Sequence, residues 1–441
     1  MFFIIFARKD SNMIQRFSII FLFIGIISGL FAQDVVQIMQ YNLLNYGNLT
    51  AYCTSTNNGA LTKNANFKII FNHVKPDILT VNEMAENPIY QDSLLNNTLN
   101  IDGESKYKRA TLTDLSKGNW IVNMLYYNSE KFGLSKHIAL PTIIRATDVY
   151  RLYYKAADLA ITNDTVFLTC IVTHLKAGSY SSDQTDRTTM VNTIMNYIQT
   201  NDLRNNYLFM GDFNVQSASE TAYNNLVKDY NGTYYLKDPI NSPGIWNNNS
   251  NFSAIHTQSP RQINNGCAST GGLDDRFDFI LSSPKLLEGN HGMTLLSETY
   301  TALGNDGLHF DRSITLDPTN TSAPANVITA LHDASDHLPV LVKIRTDQSY
   351  LSVESEERFE EIKFQNPVNE QLQIHLAFEN AHAFEIRILD LMGRTLKAFP
   401  NNAKAAQHNI NIDFSDLKSG IYFLQVNLDN GKQSVHKILK N

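Results

Sequence analysis

The chain has 441 residues, 43% of them hydrophobic and 18% charged. That is enough apolar material for one large core and a second small domain, and it excludes a disordered or fibrous protein. A formal net charge of -7 argues against a protein that grips nucleic acid through bulk positive charge, while leaving room for a nuclease that relies on a local basic patch or a bound divalent cation.

At the N-terminus, Arg8, Lys9 and Arg16 precede the apolar run FSIIFLFIGIISGLF from Phe17 to Phe31, followed by Ala32 and polar Gln33 and Asp34. A basic start, a short apolar centre and a small residue predict a secretory signal peptide over residues 1–32, cut after Ala32. The run of about fifteen residues is short of the roughly twenty that a membrane span needs. Leu30 is larger than the usual residue two before such a cut. Three cysteines, Cys53, Cys170 and Cys267, cannot form a closed framework. Cys170 sits in a strand-like run as a small buried hydrophobe, and Cys53 with Cys267 is the only plausible bridge.

From residue 34 to 346, short strand-like runs alternate with amphipathic stretches, which predicts a layered α/β domain. Phe67, Ile70, Phe71 and Val74 recur at helical spacing before Pro76, and DILTVNE follows as a strand. Met190, Val191, Ile194, Met195 and Ile198 mark one apolar helix face before the strand YLFMGDFN. The Asn-, Ser- and Gly-rich stretch from Asp229 to Gly272 reads as long surface loops.

Residues 347–362 include the charged run SVESEERFEEI and read as a linker. Alternating strands separated by Asn, Gly and Asp turns fill residues 363–441, which fits a small all-β sandwich of roughly seven strands. FQNPVNEQLQI, ILDLMGRTL and LKSGIYFLQV with terminal HKILKN closely resemble the C-terminal sorting domain of proteins exported by the type IX secretion system of Bacteroidetes. The resemblance implies export through the periplasm and outer membrane, with the type IX machinery as a partner and the cargo secreted or attached to the cell surface.

Polar residues interrupt several of the apolar runs: Asn42 in IMQYNLLN, Glu83 in ILTVNEM, His174 in CIVTHLKAG, Asp212 and Asn214 in FMGDFNV, Asp278 in DRFDFIL, and Asp336 and His337 in ASDHLPVLV. Singly each has a plain reading as a turn, a cap or a satisfied core group. Together they repeat strands that end in an acid, amide or imidazole, which is how a layered α/β fold gathers a site at one edge of its sheets. Those residue types suit metal-assisted phosphoester hydrolysis. Mg²⁺ needs only a few hard oxygen ligands, for which Glu83, Asn42 and Asp336 are candidates. Asp212 and Asn214 can hold the attacking water, His174 and His337 can bond phosphoryl oxygens or move protons, and Asp278 can orient His337. Asn123, Lys176, Arg187, His256 and Arg261 are further candidates for contact with substrate, each with a structural alternative as a strand amide, a loop cation, a salt bridge or a loop residue.

The order YNLLN, VNEM, THLKA, GDFN, RFDFIL and SDHLPV resembles the endonuclease/exonuclease/phosphatase superfamily, which includes DNase I. The resemblance implies a four-layer α/β sandwich, Mg²⁺ or Mn²⁺ with Ca²⁺ as a further option, in-line attack of water on phosphorus, and the same residue roles. It leaves open whether the His of SDH or the Asp of GDFN is the general base. The expectation is a monomeric, exported, metal-dependent endonuclease acting on DNA or RNA. A sphingomyelinase-like or small-molecule phosphodiesterase or phosphatase is the alternative enzyme, and a catalytically silent surface-binding module the alternative of another class.

Overall fold

Two mixed β-sheets carry the apolar runs of the N-terminal domain in a computed structural model that describes residues 34–112, 121–156, 159, 165–201, 205–289, 291–347, 359–391, 393–429 and 433–441. The expected signal peptide and most of the expected linker lie outside these residues. In edge-to-edge order the first sheet runs Met293–Ala302, Val340–Thr346, Val35–Tyr46, Ile78–Ala85, Ile121–Asn128 and Tyr107–Arg109. The second runs Asp278–Ser282, Tyr207–Asp212, Phe167–His174, Thr147–Tyr154 and Phe132–Leu140.

Each sheet has at its centre a parallel pair, which needs a crossover connection. Val35–Tyr46 and Ile78–Ala85 are joined through helix Ala60–Val74, which buries Phe67, Ile70 and Phe71 and ends at Lys75 in a left-handed conformation just before Pro76. Phe167–His174 and Tyr207–Asp212 are joined through helix Ser181–Thr200, which buries Met190, Val191, Ile194, Met195 and Ile198. Both helices fall on the apolar periodicities read from the sequence. The sheets pack face to face with Ile38, Ile78 and Leu125 of the first against Cys170, Val172, Met210 and Ile280 of the second. Ala60–Val74 and Ala325–Ala334 cover the outer face of the first sheet, while Ser181–Thr200 and Thr221–Val227 cover that of the second. The architecture is a four-layer α/β sandwich, as expected.

Cys53 and Cys267 form a disulfide across 214 residues of sequence. Cys170 is free and fully buried, and burial pushes its thiol up to about 12. Among the described residues, no helix is long and apolar enough to cross a membrane.

The C-terminal strands Phe359–Phe364, Gln371–Leu389, Thr395–Asp413, Gly420–Leu428 and Gln433–Lys440 are linked in one antiparallel sheet. The described residues form five strands rather than roughly seven, because two of them are 19 residues long and each spans what the turn signals divided. Register breaks between Ala377 and Phe384 interrupt their pairing, a place where extra residues bend a strand. Alternate residues Leu372, Ile374, Leu376, Ile386, Ile388, Leu424 and Val426 share one core.

Candidate active site

Three neighbouring strands of the second sheet deliver polar residues side by side. His174 ends its strand directly opposite Asp212 in parallel register, and Asp278 begins the next strand opposite Asp212 in antiparallel register. The approach at Gly211 is what lets them sit so close: its φ is +145°, and a Cβ there would lie 1.8 Å from the Thr173 carbonyl oxygen. In the first sheet Asn42 pairs with Asn82, and the strand is irregular just beyond. Glu83 adopts a φ of 57° at this irregularity, which re-aims a side chain that regular alternation would send the other way.

Across the gap between the sheets, ligand atoms of Glu83, His174 and Asp212 lie within 4.8 Å of one another. His174 Nε2 is 3.5 Å from Asp212 Oδ2 and 3.9 Å from Glu83 Oε1. The main-chain N–H of Asn45 donates to Glu83 Oε2 at 2.9 Å and that of Asn214 to Asp212 Oδ1 at 3.0 Å, fixing both carboxylates. Two hard carboxylates and an imidazole make a donor set that suits a divalent cation. Asn42 donates its amide N–H to Glu83 at 3.2 Å and to Asp212 at 3.0 Å, while its oxygen accepts from the Leu44 N–H. In this arrangement it stands between the two carboxylates as a hydrogen-bond donor.

His337 completes the cluster from the loop before Val340–Thr346. Its Nδ1 is 2.7 Å from Asp278 Oδ2, and its Nε2 is 3.7 Å from Asp212 Oδ2. Thr257 Oγ1 donates to the same Asp278 oxygen at 2.7 Å, and Ser335 Oγ accepts from the His337 main-chain N–H. The Gln258 side-chain amide is 2.6 Å from His337 Nε2. Burial disfavours the imidazolium, but the Asp278 and Asp212 carboxylates override it and hold the His337 pKa well above its ordinary value. His174 behaves in the opposite way. Burial, with the Arg145 and His337 charges, pushes its pKa well down, and its Nδ1 is buried without a partner. Asp212 is raised to about 7 by burial and by the charges of Asp278 and Glu83, against the opposing pull of His337.

Other sequence candidates sit around this cluster in differing ways. Asp336 stands outside the trio and accepts the Ser269 main-chain N–H at 2.7 Å. Asn214, at φ 53°, turns its amide toward the Leu175 carbonyl. Asn123 lies behind the site, donating to Asp148 at 2.9 Å and accepting from Asn82 at 2.7 Å. Arg187 is fully buried, bonds Glu220 at 2.8 Å, and donates to the Lys176 and Gly178 carbonyls, so it braces the loop after His174. The Lys176 ammonium pairs with Asp183 at 2.7 Å. His256 is buried between the Leu273 and Trp246 carbonyls, and burial lowers its pKa. Arg261 is buried and donates to the His332 carbonyl.

Several residues that the sequence reading passed over shape the site. Asn82 is fully engaged: its oxygen accepts from Gln40 and from the Asp212 main-chain N–H, and its nitrogen donates to Asn123 and to the Thr173 carbonyl. It ties the two sheets together beneath Asp212. Thr257, Gln258 and Arg145 touch His337, Asp278 or the His174 segment. For Asn82 the available signal is the doublet Asn82–Glu83 inside a strand, where one member must face the core. Arg145, Thr257 and Gln258 stand in stretches without a local pattern.

Residues 364–441 match the family model described as the secretion system C-terminal sorting domain. A search of curated proteins finds no match. Among solved structures the chain is similar to an endonuclease/exonuclease/phosphatase family protein from Bacteroides thetaiotaomicron, at 12% identity over 72% of this chain and 97% of that one, with a TM-score of 0.43. It is also similar to truncated Caenorhabditis elegans TDP2, at 17% identity over 71% and 98% with a TM-score of 0.43. A further similar structure is D. rerio TDP2 complexed with single strand DNA product, at 13% identity over 71% and 99% with a TM-score of 0.43. Behind its four-layer α/β sandwich, this chain carries a C-terminal sorting domain that marks it for export.

Proposed function

We propose that the N-terminal domain is a divalent-metal-dependent phosphodiesterase of the endonuclease/exonuclease/phosphatase kind, acting on nucleic acid outside the cell. The observation that carries this reading is the meeting of the Glu83, His174 and Asp212 trio with the Asp278–His337 pair, whose Nε2 is 3.7 Å from Asp212. The order of motifs from YNLLN to SDHLPV supports the same reading.

Glu83 supplies an oxygen donor of the metal site, with His174 and Asp212 beside it. A bound Mg²⁺ or Mn²⁺ would polarise a phosphoryl oxygen and offset the charge that builds on it. Asn42 keeps the two carboxylates apart and aligned through its paired N–H bonds. Asp212, its carboxylate held by the Asn214 N–H, accepts the proton of the attacking water as that oxygen bonds phosphorus and the bond from phosphorus to the leaving ester oxygen breaks on the opposite side. Asp278 stabilises the His337 imidazolium, so that Nε2–H can donate to a phosphoryl oxygen as negative charge develops there. Asp336, set apart by its bond to Ser269, belongs to the rim of the site.

The mature chain begins after residue 32 in this reading, the α/β domain spans 34–346, and the sorting domain follows a linker at 347–362. Export by the type IX route delivers the enzyme to the medium or the cell surface. The test presents full-length protein with plasmid DNA, RNA, sphingomyelin and bis(p-nitrophenyl) phosphate, with Mg²⁺ and with EDTA. Metal-dependent nucleic-acid cleavage that disappears in His337→Ala is expected. Lipid hydrolysis without nucleic-acid cleavage would replace the nuclease by a sphingomyelinase-like enzyme.

A further inference from the structure

Lys63, on the helix Ala60–Val74, is only 3% exposed. Its Nζ donates to the Leu43 carbonyl at 2.5 Å, to the Leu44 carbonyl at 2.8 Å and to Asn58 Oδ1 at 2.7 Å. All three acceptors are uncharged oxygens, an unusual setting for a lysine buried this completely. Burial pushes its pKa down to about 7, while the Asp336 and Glu83 charges pull it up. The ammonium is the form that has an N–H donor for each of the three oxygens.

The two carbonyls lie at the irregular end of the strand Val35–Tyr46, three residues from the site. Leu44 and Asn45 both adopt a φ of 48°, a left-handed conformation that is costly for residues with a Cβ and persists only where the surroundings enforce it. The two peptide groups between Leu43 and Asn45 are used alike. Their carbonyls accept from Lys63, while the N–H groups of Leu44 and Asn45 donate to Asn42 Oδ1 and Glu83 Oε2, each at 2.9 Å. Asn58 Nδ2 adds a second bond to the Leu44 carbonyl at 2.8 Å. One chain of bonds therefore runs from the ammonium, through the Leu44–Asn45 peptide, to the Glu83 carboxylate. A cation at the oxygen of that peptide and a carboxylate at its N–H reinforce each other through its dipole.

We propose that Lys63 is a positioning residue for the metal site, holding Glu83 in its ligand orientation through the Leu44–Asn45 peptide. The inference rests on the assignment of Glu83 as a metal ligand and adds to it the group that fixes that ligand from behind. A neutral side chain of similar length fills the same space but leaves the Leu43 carbonyl buried without its donor. The left-handed pair then loses the bonds that enforce it, and the Asn45 N–H is free to turn away from Glu83. A brace that served stability alone would alter the melting temperature and leave the metal affinity of the folded protein as it was.

The test compares the full-length wild type with Lys63→Met and Asn58→Ala by Mn²⁺ titration calorimetry, by metal-free thermal melts, and by turnover of bis(p-nitrophenyl) phosphate against Mg²⁺ concentration. Lys63→Met is expected to weaken Mn²⁺ binding about 10-fold and to raise the Mg²⁺ needed for half-maximal turnover by a similar factor. Asn58→Ala removes one acceptor of Lys63 and one donor to the Leu44 carbonyl, and is expected to weaken Mn²⁺ binding about 3-fold. At saturating Mg²⁺ the KM for the phosphodiester should change by less than about 2-fold, because Lys63 does not touch substrate. A lowered melting temperature with unchanged Mn²⁺ affinity in Lys63→Met would overturn the proposal. Should that variant fail to fold, unchanged Mn²⁺ affinity in Asn58→Ala would overturn it. A wild type that binds Mn²⁺ but turns over no phosphodiester would overturn the enzymatic reading alone, with calorimetry still deciding the role of Lys63. A wild type that binds no Mn²⁺ would overturn both.

Discussion

Nδ1 of His337 and Oδ2 of Asp278 lie 2.7 Å apart at buried positions 59 residues apart in the chain. The pair joins the loop before one sheet's strand to the first residue of a strand in the other, so the histidine that faces Asp212 is held by a carboxylate beneath it. Asp278→Asn keeps the shape and removes the charge. Its kcat on a phosphodiester is expected to fall by about 100-fold or more, while a far-ultraviolet spectrum stays native.

The same pair makes stability depend on pH in a definite direction. The folded pKa of His337 is raised, so its stabilising contribution is fully present below the unfolded histidine value of about 6.5 and is lost as pH rises through the folded value. Thermal melts of the wild type and Asp278→Asn in EDTA, followed from pH 6 to pH 10, test this. The difference in Tm between them should shrink as pH rises, and a difference that grows would contradict the assignment.

Gly211 is expected to tolerate no side chain. With a Cβ placed 1.8 Å from the Thr173 carbonyl oxygen, Gly211→Ala must push apart the two strands that carry His174 and Asp212. A loss of about 3 kcal/mol or more in denaturant unfolding is expected, along with reduced activity.

Asn82→Leu removes an amide whose four bonds join Gln40, Asn123, Thr173 and Asp212. Leaving those partners buried and unpaired is expected to cost about 2 to 4 kcal/mol by chemical denaturation. Activity should fall with it, because the Asp212 main-chain N–H loses its acceptor.

The disulfide gives a separate test. Cys53 and Cys267 tie the loop after Tyr46 to the loop whose Ser269 N–H bonds Asp336. The Cys53→Ser, Cys267→Ser double variant is expected to lose about 2 to 5 kcal/mol of stability. A differential scan with and without reductant should lower the wild-type Tm toward that of the variant.

Much of this arrangement is legible from residue order because strands that end in polar groups announce themselves. GDFN, VNEM, THLKA and SDH each break an apolar run, and all four reach the same gap between the sheets. Their partners are less visible. Asn82 meets the Asp212 N–H across 130 residues, and Thr257 meets Asp278 from a loop whose composition reads as surface. Such contacts depend on how two sheets stack, which local periodicity does not encode. Arg187 carries the same lesson in reverse, since its place on an apolar helix edge fits phosphate contact and salt bridge equally, and only the position of Glu220 in space reveals the brace. In the tail, the turn residues divide the sequence into more strands than form, because Asn also occurs within the long strands, as at the register break beside Asn401.

The rate of phosphodiester cleavage measured against Mg²⁺ concentration, in wild type and in Glu83→Gln side by side, tests the central claim most directly. The wild type should be silent in EDTA and saturate with added Mg²⁺, while Glu83→Gln should need about 10-fold or more Mg²⁺ to reach a lower plateau. Cleavage that persists in EDTA, or a Glu83→Gln curve that overlays the wild type, would contradict it.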